Sequence, residues 1–391
     1  MNFKFSRLIR YLFNRYKKRN LIGIWINEDY IFNHYEAILD NVSKDKFELI
    51  LERKYKNSKS PILKKIHLKN WHYSYMDDVI DKFKYRYLIT HLAFGEGSCK
   101  IQSFPTRAKN LAKNFLNKVR HVFRLLPKAI STKEHFQVRL GEVNFRLMYG
   151  ADLNDQRWPS NQVYDLFFCH GPHDAHLMEA NFNAQTLIVG YPKYDKYFIN
   201  HSNLQKKEKV NLLFIFTVSL HFSTITSYFH HISPLSNKYN ITIRPHPLEI
   251  DPKSTRFNEK VYELAKSNPK IFDLNPSKDL SELYSEADFV ITDYGGSIFS
   301  ALYLDKKILL LDHPDAINDI GSLESNSLEA RDFLPSLDLE SGHKLQEIID
   351  SNDFDVSLPP GQIAYRTKYF GQIKGGCIPI IANYLNSLTL D

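Results

Sequence analysis

Only three cysteines occur in 391 residues, and Cys99, Cys169 and Cys377 are far apart and odd in number. They supply neither a disulfide framework nor the paired spacing of a zinc site, so a reducing compartment is the simpler expectation. No apolar run approaches the roughly 20 residues that span a bilayer, and no long uncharged stretch precedes a small-residue cleavage site at the N-terminus. The expectation is a chain neither exported nor integral to a membrane. Internal repeats are absent, and apart from two basic segments so is low-complexity sequence.

Acidic residues are missing from those same two segments. Residues 1–20 hold Lys4, Arg7, Arg10, Arg15, Lys17, Lys18 and Arg19 with no acid, and these seven bases equal the whole excess of 51 basic over 44 acidic side chains. Phe5, Leu8, Ile9, Leu12, Phe13 and Tyr16 recur at helical spacing, which predicts a basic amphipathic helix over residues 1–20. Between Gly97 and Lys133 there is again no acid, and Thr106 to Lys128 reads as a second such helix. Helices of this kind lie in the interface of an anionic membrane, where each nearby base adds about 1 kcal/mol. Two alternatives stand beside that reading. The stripes could pack on the protein's own core, or the bases could meet nucleic acid; no zinc finger, RNA-recognition signature or basic–aromatic repeat supports the second.

What is present is apolar enough, at 43% hydrophobic, for about two cores at this length. Leu21–Ile26, Phe47–Leu51, Tyr85–Thr90, Phe145–Tyr149, Leu166–Cys169 and Thr186–Val189 read as strands, with a helix at Asp29–Leu39. The pattern breaks at Gly190-Tyr191-Pro192-Lys193-Tyr194-Asp195, and the polar stretch His201 to Lys209 reads as an interdomain linker. A fresh alternation follows with Val210–Phe216, Ile241–Ile243, Lys270–Phe272, Phe289–Ile291 and Ile308–Leu311, and a helix at Cys377–Leu388 closes the chain. Strands alternating with helices predict parallel sheets covered on both faces, in domains spanning residues 21–198 and 210–391.

Two turns in the second half carry phosphate chemistry. Arg244-Pro245-His246-Pro247 follows a strand and sets a guanidinium and an imidazole at its carboxyl end. Thr292-Asp293-Tyr294-Gly295-Gly296-Ser297 lies between a strand and an apolar helical stretch; a helix N-terminus attracts anions, and glycines let backbone N–H groups approach them. In the first half, His170 follows a strand beside Gly171-Pro172. Imidazole titrates near neutrality and suits a general base; His173 or His176 could serve instead, or His170 could cap the helix that follows. Asp353-Phe354-Asp355 has the form of a metal-binding DxD but sits in a polar loop far from these turns, so it reads as a solvated turn and no metal is expected.

Ala287 to Phe299, Arg244 to Pro247, Gly190 to Asp195 and Cys169-His170-Gly171 together resemble the CDP-glycerol glycerophosphotransferase family of teichoic acid and capsule polymerases, over roughly residues 145–388. The resemblance implies a GT-B fold, two Rossmann-like domains facing a cleft, acting without a cofactor at the inner face of the cytoplasmic membrane. It implies that Arg244 and His246 contact the donor's phosphates, that Thr292, Asp293, Gly295, Gly296 and Ser297 form the nucleotide loop, that Thr217 lies near the donor, and that His170 is the base. Gly295 and Gly296 stand where that family usually has serines, Ser300 where an acid is frequent, and Ala175 where a lysine is common. The implied partners are a CDP-linked donor and a lipid-linked or glycan acceptor. Two other functions fit the same residues: a nucleotide-sugar glycosyltransferase or epimerase, and a non-catalytic peripheral membrane protein.

Overall fold

The computed structural model describes residues 17–390 except 28, 58–59, 81, 92–139, 149–160, 162, 183, 201–208, 220–221, 276–277, 317–325 and 352–357. The stripe from Phe5 to Tyr16, the basic stretch from Thr106 to Lys128 and the Asp353–Asp355 turn therefore lie outside the described residues.

Two sheets organise the chain. The first comprises β1 (Lys17–Ile26), β2 (Phe47–Leu51), β3 (Tyr73–Tyr75), β4 (Phe83–Thr90), β5 (Gly141–Leu147), β6 (Leu166–Cys169) and β7 (Gln185–Ile188), in the order β3-β2-β1-β4-β5-β6-β7. The second comprises β8 (Asn211–Ile215), β9 (Asn240–Arg244), β10 (Phe289–Thr292), β11 (Lys307–Leu311) and β12 (Ser336–Leu337), in the order β12-β11-β10-β8-β9. Every strand pairing is parallel. Parallel strands are covered on both faces and so carry unbroken apolar runs: all five residues of β2, and all five of β11, are buried. Both strand orders reverse direction once, between β1 and β4 and between β8 and β10. In open α/β sheets such reversals are where ligands bind. This is the GT-B arrangement of two Rossmann-like units.

Seven helices position the site: α1 (Asp29–Leu39), α2 (Pro172–Asn181), α3 (Thr224–Ile232), α4 (Pro247–Ile250), α5 (Gly296–Tyr303), α6 (Pro360–Phe370) and α7 (Cys377–Ser387). The C-terminal α7 returns to the first sheet, where Ile381, Ala382 and Leu385 share a core with Ile24, Ile38 and Leu39. Asn386 fastens it there, accepting from the Ser43 N–H at 3.1 Å and donating to the Asn41 carbonyl at 3.0 Å.

Two expectations change. The helix expected over residues 1–20 is a strand from Lys17 onward: β1 pairs Lys17 with Phe83, Lys18 with Lys84 and Arg19 with Tyr85. The buried Glu48 carboxylate accounts for this, since it needs a cation and takes the Arg19 guanidinium, which also lies 3.8 Å above the Phe83 ring. Lys18 pairs with Glu142 at 2.9 Å. The expected linker, His201 to Lys209, lies outside the described residues except for Lys209, and the Gly190–Asp195 break before it is folded in. Tyr191 and Tyr194 are buried with Tyr284, Tyr303 and Phe370 in the second domain's core. The second change is at Lys270–Phe272, which forms only an isolated bridge, Phe272 to Ile243, and not a strand.

Candidate active site

The reversal between β8 and β10 is closed by Asp293. Its carboxylate accepts from the Thr217 N–H (2.8 Å), the Thr224 hydroxyl (2.7 Å) and the Tyr294 N–H (2.6 Å), joining the ends of both strands to α3. Asp293 is fully buried, and burial pushes its carboxyl up to about 7 despite those donors and Arg331. Its side chain thus organises the turn from within, and the carbonyl of Asp293 accepts from Arg331 Nη2 at 2.9 Å. Arg331 also bonds Asp312 (2.6 Å) and the Ser327 carbonyl (2.7 Å), and its guanidinium lies 4.0 Å over the Tyr294 ring.

Past Tyr294 the chain turns into α5. Gly295 is its N-cap, at φ 77° and ψ −162°, a backbone region that only glycine enters without strain. The Gly295 N–H is spent on the Ser327 hydroxyl at 2.9 Å. The next two N–H groups, of exposed Gly296 and half-buried Ser297, lie in the first turn, where no preceding helical carbonyl is in register to accept them. The Ser297 hydroxyl is tied back to Thr292 Oγ1 at 2.6 Å. Of the loop residues expected to bind a nucleotide, Thr292, Asp293 and Ser297 therefore spend their side chains holding the turn, and the anion-receptive groups are backbone.

At the end of β9 the arginine and the histidine differ. Arg244 is buried, donates through Nη1 to the carbonyls of Asp273 (3.2 Å) and Asn275 (2.7 Å), and lies 3.4 Å from the Asp273 carboxylate. His246 is the N-cap of α4: its Nδ1 accepts from the Leu248 N–H at 3.2 Å, while Glu249 accepts from the His246 N–H at 3.2 Å. This is a capping box with a histidine in the first position. Burial, with Arg256 nearby, lowers His246 to about 4, so near neutral pH it is an uncharged donor through Nε2. Glu249 is 1% exposed, and burial with Asp293 close by raises it to about 8.

In the first domain the candidate base sits at the carboxyl end of β6. His170 Nδ1 lies 2.8 Å from Asp174 Oδ2, the same oxygen accepts from the His170 N–H at 3.2 Å, and both residues are 1% exposed. His170 Nε2 is buried and has no hydrogen-bond partner among the described residues. The ring packs on Tyr191 at 4.2 Å. Of the alternatives, His176 is exposed and His173 stacks on Tyr369 at 4.1 Å, its pKa lowered by burial. His91 follows β4 and stacks on Trp25 at 5.9 Å; burial beside Arg146 lowers it to about 3. His34 of α1 is held well below its ordinary value by burial and by Lys193, His91 and His170 around it. Lys193, lowered to about 8 by burial, spans the Tyr191 and Tyr194 rings at 5.1 and 4.8 Å.

The two domains meet at this histidine. A Cβ on Gly171 would stand 2.1 Å from the Tyr369 carbonyl oxygen and 2.5 Å from Phe370 Cα, so only glycine lets α6 of the second domain lie this close to the His170 turn. Tyr369 in turn packs on Phe299 of α5 at 4.6 Å. The His170 turn and the α5 helix start thus share one aromatic seam. Asp174, Glu249 and Arg331 were not singled out from sequence. Asp174 lies one helical turn after His170 and Glu249 at the third position after His246, both readable as capping spacings; Arg331 carries no local signal.

The family model for CDP-Glycerol:Poly(glycerophosphate) glycerophosphotransferase matches residues 143–313, which contain both strand-end turns. Among solved structures, the wall teichoic acid polymerase TagF aligns over 98% of this chain and 95% of its own, at 12% identity and a TM-score of 0.60. A TagF variant soaked with CDPG matches with the same coverage at 13% identity and a TM-score of 0.56. S. aureus MnaA in a co-structure with UDP aligns over 95% of this chain and 98% of its own, at 13% identity and a TM-score of 0.52. At such identities these likenesses show the fold. No curated protein sequence matches significantly. The stretch that resembles this glycerophosphotransferase family, residues 143–313, holds His170, Arg244, His246 and the Asp293–Ser297 turn.

Proposed function

We propose that this transferase moves a glycerol phosphate, or a closely related polyol phosphate, from a CDP-activated donor to a hydroxyl of a lipid-linked or glycan acceptor in the synthesis of a cell-surface polymer. The observation that carries the reading is the pairing, within residues 143–313, of a base-competent imidazole at the end of β6 with an anion-receptive helix start at the end of β10. The donor's phosphates lie against the Gly296 and Ser297 N–H groups, the His246 Nε2–H and, on its remaining N–H edge, Arg244, with Thr217 beside them. His170 takes the acceptor's proton, and charge on the departing CMP is met by these donors, so no step runs through a metal or cofactor. Nucleic acid has no part in the reading.

The setting is the inner face of the cytoplasmic membrane, with Lys4, Arg7, Arg10 and Arg15 toward anionic lipid and the apolar stripe inserted. No helix among the described residues is long and apolar enough to cross a membrane. Since β1 starts at Lys17, the informative truncation removes residues 1–15. It should release the protein from acidic vesicles and leave nucleotide binding in place; loss of nucleotide binding would assign the stripe to the protein's own core.

The fold shared with MnaA bound to UDP favours a second reading, a nucleotide-sugar enzyme on the same frame. A thermal-shift panel of CDP-glycerol, CDP-ribitol, CMP, UDP-sugars and CMP-sugars separates the two, because a ligand at about 100 times its Kd adds about 2.7 kcal/mol to the folded state. Stabilisation by cytidine nucleotides followed by CMP release supports the proposal. Stabilisation by UDP-sugars alone would transfer the site to the second reading, and no response to any nucleotide would favour a non-catalytic membrane protein.

A further inference from the structure

We propose that Asp174 is the positioning residue of a His170–Asp174 dyad: it fixes the His170 proton on Nδ1 and so keeps the Nε2 lone pair free to accept the acceptor's proton. The inference rests on the reading of His170 as base given above. Its geometry is independent of that reading. Asp174 is the third residue of α2, whose N-cap is Gly171 and whose first residue is Pro172, so its carboxylate lies over the helix start. One oxygen, Oδ2, receives both the His170 N–H at 3.2 Å and the His170 Nδ1 at 2.8 Å, and both residues are 1% exposed.

A carboxylate only accepts, so the ring nitrogen facing it must carry the hydrogen. The tautomer of His170 follows: Nδ1–H toward Asp174, lone pair on Nε2. That second nitrogen is buried with no hydrogen-bond partner among the described residues, which leaves its lone pair available to a ligand hydroxyl. The backbone bond matters as much as the ring bond. By holding the His170 N–H as well, Asp174 fixes the main chain from which the ring projects, while Tyr191 at 4.2 Å fixes the ring's face. In the transfer step the acceptor oxygen bonds to the donor phosphorus and the bond from that phosphorus to the CMP oxygen breaks. CMP leaves with the electron pair and the acceptor's proton goes to Nε2. The Nδ1–H stays directed at Asp174, whose negative charge faces the imidazolium formed.

The first test needs no substrate. In the full chain labelled with ring-15N histidine, long-range 1H–15N spectra assign the tautomer of each of the 16 histidines, with His170→Gln identifying the resonance. The expectation is an Nδ1–H tautomer for His170 in the wild type, with the Nε2–H fraction rising in Asp174→Ala, which removes the oxygen that receives both bonds; thermal denaturation checks that this variant is folded. An Nε2–H tautomer in the wild type overturns the proposal, whatever the variants do. The second test is CMP release from CDP-glycerol. Asp174→Asn should lower kcat about 10²- to 10⁴-fold with the donor KM nearly unchanged, and Asp174→Glu should recover part of the loss. Full turnover in Asp174→Asn, with His170→Ala inactive, overturns the dyad and leaves the base reading standing. If the wild type releases no CMP, or His170→Ala keeps full activity, the proposed function fails instead, and the tautomer alone decides the dyad.

Discussion

Replacing Glu249 by Gln should flatten the alkaline arm of the stability curve. Glu249 is 1% exposed, accepts from the His246 N–H at 3.2 Å, and has its carboxyl raised from 4.5 to about 8 by burial, with Asp293 adding repulsion. Because the folded value lies above the unfolded one, the native state holds the proton more tightly between these two pH values. Stability from this group is therefore full below about pH 4.5 and is lost as pH rises, with the loss complete above about 8. Integrated from pH 6 to pH 9 at 1.36 kcal/mol per pKa unit, the loss through Glu249 is roughly 2–3 kcal/mol. Glutamine keeps a carbonyl oxygen for the His246 N–H and removes the titration. Urea unfolding of wild type and Glu249→Gln at pH 6 and pH 9 measures the difference. Trp25, Trp71 and Trp158 all precede the second domain, so far-UV circular dichroism is the better probe than tryptophan fluorescence. Asp293, pushed up to about 7, gives both proteins a slope of the same sign, which cancels in the comparison. Parallel stability–pH curves for the two proteins would refute the reasoning, since Glu249 would then ionise without cost and the buried box around His246 would be wetter than its burial implies.

His246→Ala should weaken CMP-nucleotide binding by only about 1 kcal/mol, the worth of one neutral hydrogen bond, because an imidazole lowered to about 4 carries no charge near neutral pH; isothermal titration gives the number. Arg244→Ala should also lower the melting temperature, as it abandons the carbonyls of Asp273 and Asn275 in a buried site; an unchanged melting temperature would disprove that structural part. Gly295→Ala and Gly296→Ala should part company. The first strains a φ of 77° at about 1–3 kcal/mol, and the second meets nothing within 4 Å and should be neutral by thermal denaturation. Gly171→Ala should cost about 1–3 kcal/mol or more, because its Cβ would stand 2.1 Å from a backbone oxygen of the other domain, and it should lower turnover by moving the His170 turn.

Much of the architecture was legible from periodicity. Leu166–Cys169 is a strand with the expected bounds, and Asp29–Leu39 is the expected helix. Buried parallel strands announce themselves because both of their faces must be apolar. Short edge strands do not: β3 is Tyr-Ser-Tyr and β12 is two residues, too few for a pattern to form. The N-terminal failure has a different cause. Helical periodicity in Phe5–Tyr16 was extended through Lys17, Lys18 and Arg19, whose conformation is decided by partners far along the chain: Glu48, Phe83 and Glu142. No local pattern contains those partners. The Gly190–Asp195 break hides its burial for a related reason, since the tyrosines set between its glycine, proline, lysine and aspartate fill the second core through partners far along the chain.

The candidate site was legible in its positions and less so in its division of labour. A strand-to-helix turn rich in hydroxyl and carboxyl groups reads naturally as a set of side-chain ligands. Here Thr292 bonds Ser297, and Asp293 bonds Thr217, Thr224 and Tyr294, so those side chains face inward. This is what a phosphate cradle requires. A carboxylate aimed at a phosphate would repel it, whereas the same carboxylate buried behind the turn, near its neutral form, draws N–H groups and hydroxyls together and sets the glycine backbone facing outward. The same logic separates the two halves of the site. On the proposed donor side Asp293 and Glu249 are buried and raised, so they would add little negative charge where phosphates are proposed to approach. On the proposed acceptor side Asp174 is spent on one imidazole, where its charge would face the proton that His170 is proposed to take. In the proposed site, carboxylates are thus kept away from the incoming anion and placed against the incoming proton, the asymmetry that phosphoryl transfer to a hydroxyl calls for.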